Sequence, residues 1–327
     1  MTITRCIAFL LGAAIAVAGF IAPLHAADDY PNRPIHLVVP YPPGGSADLI
    51  GRMLADKLSH SLGQTVIVEN KGGASGTIGS EYVARALPDG YTLLIGISDT
   101  HAINPAVFAN LSYNAQRDFT PISLLAVQPF VLAVGPTVKA KTLAEFVADA
   151  KSRATPMSFS SNGVGGLQHL AMESFSALAD FKALHVPYKG AAPALTDVLG
   201  GHIDATFISL QGAGSNITSG QLRPLAITAP KRLTSAPDIP TFAESGYPTF
   251  TVDQWYGLFG PSKLPADIVA KLNSLAAAAM TAPDVAGKLI PAGTQPSPDT
   301  PDEFAGFVKN QITTWSDVAK KNGIKIP

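Results

Sequence analysis

Apolar and polar positions alternate along most of this chain in short blocks that predict strands followed by helices. The apolar run IHLVVP predicts a strand, and SADLIGRMLADKLSHSLG follows it from Ser46. Ile50, Leu54 and Leu58 recur there every four residues, so they should line one face of a helix that ends at Gly63. TVIVEN predicts the next strand, TIGSEYVARALPDG a helix and YTLLIGIS a third strand. This β-α-β-α-β order predicts a largely parallel sheet with helices on both faces.

The same alternation recurs with different sequence and predicts a second α/β domain. Its predicted strands are FVLAVG, MSFSS, KALHVPY, DATFISL and RPLAITA, and its predicted helices are TLAEFVADAKSR, LQHLAMESFSALA and PALTDVLGGHI. The C-terminal part offers one strand, TVDQWYGLFGP, and two long helical patterns, PADIVAKLNSLAAAAMTAPDVAGKL and DEFAGFVKNQITTWSDVAKKNGI. One strand and two helices seldom form a domain, so we expect them to complete the first one. The prediction is two α/β domains, 27–128 plus 251–327 and 129–250, with a ligand cleft between them.

Residues 1–26 have the pattern of a secretory signal peptide. Arg5 is their only charge, and CIAFLLGAAIAVAGFIA is an apolar run too short to anchor the chain in a bilayer. Small residues predict cleavage after Ala26, with Ala27 as the alternative. We therefore expect an exported, periplasmic chain. Cys6, the only cysteine, lies in the segment to be removed, so the mature chain should have no disulfide and no thiolate metal site.

The charge of the chain excludes several classes of partner. Without Arg5 the mature chain has 22 basic and 24 acidic residues, a net charge of −2. No basic stripe or run of like charges occurs, which argues against nucleic acid or an anionic membrane surface as a partner.

Four loops rich in glycine and small hydroxyl residues follow predicted strands, and their sequences are YPPGGSAD, SDTHAIN, SSNGVGG and YKGAAPA. Loops in this position gather at the carboxyl edge of a parallel sheet, where ligands bind. None carries arginine, and the only lysine is Lys189. The candidate ligand-binding residues, including Asp204 at the start of a strand, are Tyr41, Pro43, Gly44, Gly45, Ser46, Ala47, Asp48, Ser98, His101, Ser160, Ser161, Asn162, Gly163, Tyr188, Gly190, Ala191 and Asp204.

Such loops at helix N-termini favour an anionic ligand. The unpaired N–H groups of a helix start attract anions, and each hydrogen bond to a charged group contributes about 1.5–3 kcal/mol. The sequence therefore predicts a small carboxylated ligand held chiefly by main-chain N–H groups. For any one loop, an ordinary strand-to-helix turn is the alternative interpretation.

The sequence matches motifs for catalysis, cofactor binding and metal binding only incompletely or not at all. GGASGTIG lacks the Gly-Lys-Ser/Thr ending of a phosphate-binding loop, and GVGGLQ has Gln168 where the dinucleotide fingerprint needs glycine. The seven histidines show no His-x-x-x-His spacing. We expect no cofactor, no metal and no catalytic residue. The competing hypothesis is an exported α/β enzyme that uses His101 or Asp48 as a base, although both residues, like Asp204, have an equally simple structural interpretation.

Several long motifs of the chain resemble a known family. RPIHLVVPYPPGGSAD, GQTVIVENKGGASGTIGSEYVARALPDGYTLLIG, HAINP, YKGAAPALTDVLGGHID and PDIPTFAESGYP are similar to segments of the solute receptors of tripartite tricarboxylate transporters, the Bug receptors. The similarity runs in the same order from about Tyr30 to the C-terminus. It implies a fold like that of type II periplasmic binding proteins, closing on the ligand as a Venus flytrap.

The resemblance also implies partners and site residues. Family ligands are mostly organic acids, including di- and tricarboxylates, acidic amino acids and aromatic acids, which are delivered to integral membrane transporter subunits. The loops matching Pro42–Asp48 and Ser160–Gly166 grip a carboxylate through N–H groups and water in the family, and segments matching Ser98–His101 and Tyr188–Ala191 border the pocket. A receptor that presents its closed form to a sensor protein is a further alternative. Phe108 stands where many relatives have tyrosine, a change expected to affect packing only.

Overall fold

The computed structural model of the protein describes residues 30–326, and the predicted signal peptide lies outside them. Strands and short helices alternate as the sequence pattern predicts. The strands are β1 (Ile35–Val39), β2 (Val66–Asn70), β3 (Thr92–Ile97), β4 (Phe119–Val134), β5 (Met157–Ser161), β6 (Ala183–Pro187), β7 (Ala205–Ser209), β8 (Arg223–Ile227), β9 (Asp253–Pro261) and β10 (Gln295–Pro296).

The helices pack on both faces of these strands. They are α1 (Ser46–Leu62), α2 (Thr77–Ala84), α3 (Asn104–Val107), α4 (Leu143–Ser152), α5 (Leu167–Ala179), α6 (Ala191–Leu199), α7 (Leu210–Thr218), α8 (Ala266–Thr281), α9 (Pro283–Leu289) and α10 (Pro301–Lys321), with a 3₁₀ turn at Ala74–Gly76 and a π-helical turn at Asp99–Ile103. No helix of the described chain is long and apolar enough to cross a membrane.

One continuous sheet of ten strands runs through residues 30–326, in the order β2-β1-β3-β9-β4-β7-β5-β6, with β8 and β10 also paired to β4. Strands β1, β2 and β3 are parallel to one another, and so are β5, β6 and β7. Each parallel set is the centre of one α/β domain, with β9 and the first part of β4 completing the first domain. The α/β two-domain prediction is therefore confirmed.

Strand β4 belongs to both domains. Its residues up to Pro129 pair with β9, and those from Phe130 onward pair with β7 and β8. The prediction of a strand only at FVLAVG was too short, because β4 begins at Phe119. The domain boundaries predicted at residues 128 and 250 stay a prediction.

Two other elements differ from the sequence-based expectation. The segment PADIVAKLNSLAAAAMTAPDVAGKL, predicted as one long helical pattern, forms α8 and α9, which are separated at Ala282 because Pro283 cannot donate the hydrogen bond that would continue α8. Helix α7 was not predicted. It begins where the Ser209 hydroxyl accepts a hydrogen bond from the N–H of Gly212.

The core of the first domain follows the predicted helix face. Ile50, Leu54 and Leu58 of α1 are at most 1% exposed and pack in one cluster with Ile35 and Leu37 of β1. Full burial of each such side chain stabilises the fold by about 1.5–3 kcal/mol. This packing fixes α1 against the sheet and so fixes the direction in which its N-terminus points.

Candidate functional site

A cavity of about 610 Å³ lies between the two domains. The N-termini of α1 and α5 face it from opposite sides, each preceded by a glycine-containing loop. The lining residues are Tyr41, Pro42, Pro43, Gly45, Ser46 and Ala47 on the α1 side, Asn162, Gly163, Val164, Gly165, Gly166 and Gln168 on the α5 side, and Ser75, Ile97, Asp99, Asn104, Phe108, Gln254, Tyr256 and Ile326 between them.

The α1 side of the cavity presents main-chain donors. Gly45 is the N-cap residue in an extended conformation, and no side chain caps the helix there. The N–H groups of Ser46 and Ala47, in the first turn, therefore have no intrahelical partner. Gly44 has φ +93°, a left-handed conformation that favours glycine and turns the chain into the helix. This side is suited to bind an anionic oxygen.

Asp48 holds this loop in place. Its carboxylate accepts hydrogen bonds from the N–H of Gly44, from Asn70 Nδ2 and from Arg52 Nε, at 2.9–3.0 Å. Burial alone would raise the pKa of Asp48, but these bonds outweigh it and hold the pKa below its ordinary value. The carboxylate is thus occupied by structural partners and does not line the cavity.

The α5 side has a similar arrangement. Gly166 is an extended N-cap without a capping side chain, and Gly163 and Gly165 both have positive φ. The Ser161 hydroxyl bonds to Gly163 and to His185 Nε2, and the Gly165 N–H donates to His169 Nδ1. Hydroxyl and imidazole groups behind the loop therefore fix its backbone.

The two imidazoles behind this loop are stacked. The ring centroids of His169 and His185 are 3.7 Å apart with an interplanar angle of 11°. Burial lowers the pKa of each histidine to about 4, and for His185 the neighbouring His169 adds to the effect. Both are therefore neutral at pH 7, as the acceptor role of His169 Nδ1 requires.

The remaining wall contains the acidic side chain of Asp99, on the π-helical turn. Burial raises the pKa of Asp99, while the nearby Leu167 N–H and Gln254 side chain oppose the rise. Tyr256, on β9, lines the same wall, and its hydroxyl donates to Gln128 Oε1. The lining residues that belong to the described range 30–326 include no lysine, arginine or histidine.

The two domains touch at the edge of the cavity. The Ser46 hydroxyl donates to Gln211 Oε1 of α7 at 2.6 Å, and Gln128 Nε2 lies 3.2 Å from the same oxygen. Ile326 pairs with Phe108 and would be 2.7 Å from a Cβ added to Gly165. These contacts join the start of α1 and the C-terminal segment to the second domain.

The structure brings only some of the predicted site residues to the cavity wall. Those that line it are Tyr41, Pro43, Gly45, Ser46, Ala47, Asn162 and Gly163. Gly44, Asp48, Ser160 and Ser161 lie in the same loops but behind the wall. The Ser160 hydroxyl is buried and has no hydrogen-bond partner within the part of the chain that the structure describes.

The loop that contains Tyr188, Gly190 and Ala191 lies beside the α5-side loop and does not line the cavity. The Tyr188 N–H donates to the Ser161 carbonyl, and its hydroxyl donates to Asp197 of α6.

Ser98, His101 and Asp204 lie away from the cavity. Ser98 and His101 are fully buried. The imidazole of His101 stacks on Phe259 at 4.2 Å, and burial lowers its pKa to about 3. Asp204 immediately precedes β7, at the end of the strand remote from the loops, where it accepts hydrogen bonds from Ser158 and pairs with Arg153.

Several lining residues were not predicted. Asp99 lies in a loop that the sequence indicated, but the π-helical turn directs Ser98 and His101 into the core and leaves Asp99 at the wall. Phe108, expected to affect packing only, lines the cavity as well as packing against the core. Gln254 and Ile326 come from distant parts of the chain, and no local pattern marks them.

Known proteins similar to this chain agree on one family. The sequence profile described as tripartite tricarboxylate transporter family receptor matches residues 50–324. Protein BugT of Bordetella pertussis is 37% identical over 327 residues, with all of both chains covered.

Solved structures give the same result. A protein described as a periplasmic transporter is 42% identical, with a TM-score of 0.79 over 90% of this chain and 99% of that one. An R. palustris protein solved with adipate is 33% identical, with a TM-score of 0.80 over 91% and 99% of the two chains. MatC of Rhodopseudomonas palustris, solved with bound malate, is 32% identical, with a TM-score of 0.75 over 88% and 99%.

Proposed function

This chain belongs to the tripartite tricarboxylate transporter receptor family, a family of periplasmic solute-binding receptors, and we propose that it binds one small organic carboxylate between its domains. The bound acid is then delivered to integral membrane transporter subunits. The relatives solved with adipate and with malate support a carboxylate as the ligand.

The cavity geometry is the observation that carries this proposal. Two helix N-termini without side-chain caps, those of α1 and α5, face one cavity from opposite domains. N–H groups at a helix start bind anionic oxygens through hydrogen bonds and the helix dipole, without any cationic side chain. Ser46 and Ala47 would donate to the acid from the first domain, and the loop at Asn162 and Gly163 would close over it.

Closure follows from the position of the ligand between the domains. A ligand that contacts the α1 helix start in one domain and the loop at Asn162 and Gly163 in the other stabilises the closed form over the open form by the contacts that only the closed form makes. We propose that residues 27–128 with 251–327 form one domain and 129–250 the other, with β4 near Pro129 and the return segment before Asp253 as the hinge. Export would follow cleavage near Ala26.

The competing enzymatic function has little support in the geometry. His101 is enclosed by aromatic side chains, and its low pKa leaves it a poor base. Asp48 already accepts three hydrogen bonds. A carrier without chemistry is therefore the better hypothesis, while presentation of the closed form to a sensor protein could accompany it.

A thermal-shift screen with mono-, di- and aromatic carboxylates tests the proposal. An acid present at 100 times its dissociation constant should raise the free energy of unfolding by about 2.7 kcal/mol. The bound acid should then be recovered intact and in stoichiometric amount. Turnover of the acid would support the enzyme, and a chain that binds no carboxylate would contradict the receptor function.

A further inference from the structure

Asp99 places a negatively charged side chain in the wall of a cavity that is proposed to bind an acid. It is the only carboxylate among the described residues that line the cavity, and no lysine, arginine or histidine lines it to compensate. Asp99 interacts electrostatically with three nearby hydroxyl groups, those of Tyr41, Tyr113 and Tyr256, but these groups are neutral. They also donate to other acceptors, namely Ser75, Thr100 and Gln128. No positively charged side chain among the described lining residues therefore balances the charge of Asp99.

The Asp99 carboxylate also occupies one of the two helix N-termini that could bind an anion, namely the N-terminus of α5. It faces the N–H of Leu167, the first residue of α5. The side chain of Asp99, from the first domain, thus lies where the N-terminus of α5 would otherwise bind a carboxylate of the ligand. The α1 helix start, with Ser46 and Ala47, has no comparable occupant that reaches the cavity.

We propose that the ligand is a zwitterionic acid, with one carboxylate at the α1 helix start and one cationic nitrogen beside Asp99. Asp99 is then the residue that determines specificity, because a second carboxylate would have to lie against a negative charge that no described lining residue compensates. This inference rests on the proposed receptor function and narrows its ligand class.

Two pairs of ligands of equal length test the inference by calorimetry. They are 6-aminohexanoate against adipate and 4-aminobutanoate against succinate, and within each pair an ammonium group replaces one carboxylate. The wild-type protein should bind the amino acid of at least one pair more than 10-fold more tightly than the diacid. The isosteric variant Asp99→Asn, which can still accept from the Leu167 N–H, should reduce or reverse this ratio by at least 10-fold.

A charge-matched variant controls for the net charge of the protein. Asp56→Asn removes the same charge from an exposed position on α1 and should leave the ratio unchanged. Tighter binding of the diacids by the wild type, or an unchanged ratio in Asp99→Asn, overturns the inference and leaves the receptor function standing. If neither kind of acid binds, the inference fails, and the thermal-shift screen with the wider set of carboxylates then decides the receptor function. The wild-type comparison needs no variant, so it decides even if Asp99→Asn folds poorly.

Discussion

Two carboxylates in similar sequence positions, Asp48 and Asp99, have different environments in this protein. Both follow a strand and stand at the start of a helical segment. Asp48 turns back into its own domain and is saturated by the Gly44 N–H, Asn70 and Arg52. Asp99 faces across the cavity to the other domain. The sequence around each residue is polar and small in both cases, so only the direction of the side chain separates a structural role from a role in recognition.

Replacement of Asp48 by alanine should destabilise the protein. The change removes the charged acceptor shared by the Gly44 N–H, the half-buried Asn70 amide and Arg52, at a cost of about 1–3 kcal/mol at pH 7. Because the folded-state pKa of Asp48 is depressed, its contribution is present above the ordinary pKa of 3.8 and is lost as the pH falls through the lower folded-state value. Urea denaturation should therefore show a wild-type advantage at pH 7 that shrinks below pH 3.8. An advantage that grows in acid would contradict this account of Asp48.

Replacement of Gly45 by valine should weaken ligand binding severely without unfolding the protein. A Cβ at Gly45 would meet no heavy atom within 4 Å, and the residue has ordinary extended dihedral angles, so the fold can accept a side chain there. The added isopropyl group would instead occupy the space through which an acid approaches the N–H groups of Ser46 and Ala47. We expect affinity to fall at least 30-fold, about 2 kcal/mol. The free energy of unfolding should change by about 0.5 kcal/mol or less.

Gly306→Val is the matched control for this variant. Gly306 also has open space around its Cβ position and lies on α10, outside the cavity wall. It should keep wild-type affinity in the same calorimetric titration. Unchanged affinity in a folded Gly45→Val protein would mean that the acid binds away from the α1 helix start.

Strand β4 shows why secondary structure could be predicted only in part. Alternating blocks identified most strands and helices, because their apolar faces are buried as the patterns require. Pro121 and Pro129, however, argue against a central strand, since proline cannot donate to the sheet. The structure accommodates Pro121 where the pairing with β9 shifts register, and Pro129 where β4 exchanges β9 for β7 and β8. Both explanations depend on neighbouring strands, so the local sequence could not supply them.

The place where β4 changes partners depends on one hydroxyl. Thr228 Oγ accepts a hydrogen bond from the Phe130 N–H at 2.9 Å and donates one to the Val252 carbonyl at 2.6 Å. The residue is 1% exposed, so water cannot replace these bonds. Thr228 therefore joins the two chain segments that run between the domains.

Thr228→Val should remove both hydrogen bonds with little change in shape. We expect a loss of about 1–3 kcal/mol in the free energy of unfolding, since a buried donor and a buried acceptor lose their partner. Thr228→Ser keeps the hydroxyl and should recover most of this loss, apart from the missing methyl group. Chemical denaturation of the three proteins measures the difference. Equal stability of the valine and serine variants would show that the hydroxyl does not join the two segments.

Contacts that form between the domains should set part of the ligand affinity. The hydrogen bond from Ser46 to Gln211 connects α1 of the first domain to α7 of the second. Gln211→Ala removes this contact, and it should lower ligand affinity about 5-fold, or about 1 kcal/mol, without touching the cavity wall. Gln221→Ala is the control, because Gln221 is exposed and bonds only to Asn216 and Ser219 of its own domain.

Small-angle scattering completes this test. The unliganded Gln211→Ala protein should have a larger radius of gyration than the wild type, and saturation with ligand should bring the two values together. Equal affinity and equal dimensions in both proteins would show that the Ser46–Gln211 contact does not stabilise the closed form.

The candidate site was predictable as a set of loops but not as a set of side chains. The rule that loops gather at the carboxyl edges of parallel strands correctly brought the segments near Gly45 and Gly163 to one cavity. It could not indicate that a π-helical turn would bury His101, or that Ile326, at the far end of the chain, would reach the wall. The burial of His101 depends on packing within the first domain, where Tyr113, Phe119 and Phe259 surround it, and the position of Ile326 depends on how the C-terminal segment packs against the second domain.

The central position of β9 has a consequence for the order in which the molecule can be completed. This strand lies between β3 and β4, yet it comes more than a hundred residues after both begin. During synthesis from the N-terminus, the edges of β3 and β4 that β9 covers therefore stay open until about residue 261 has emerged. The first domain therefore cannot complete its sheet from the N-terminal part of the chain alone, and it stays only partly folded for most of the synthesis of the polypeptide.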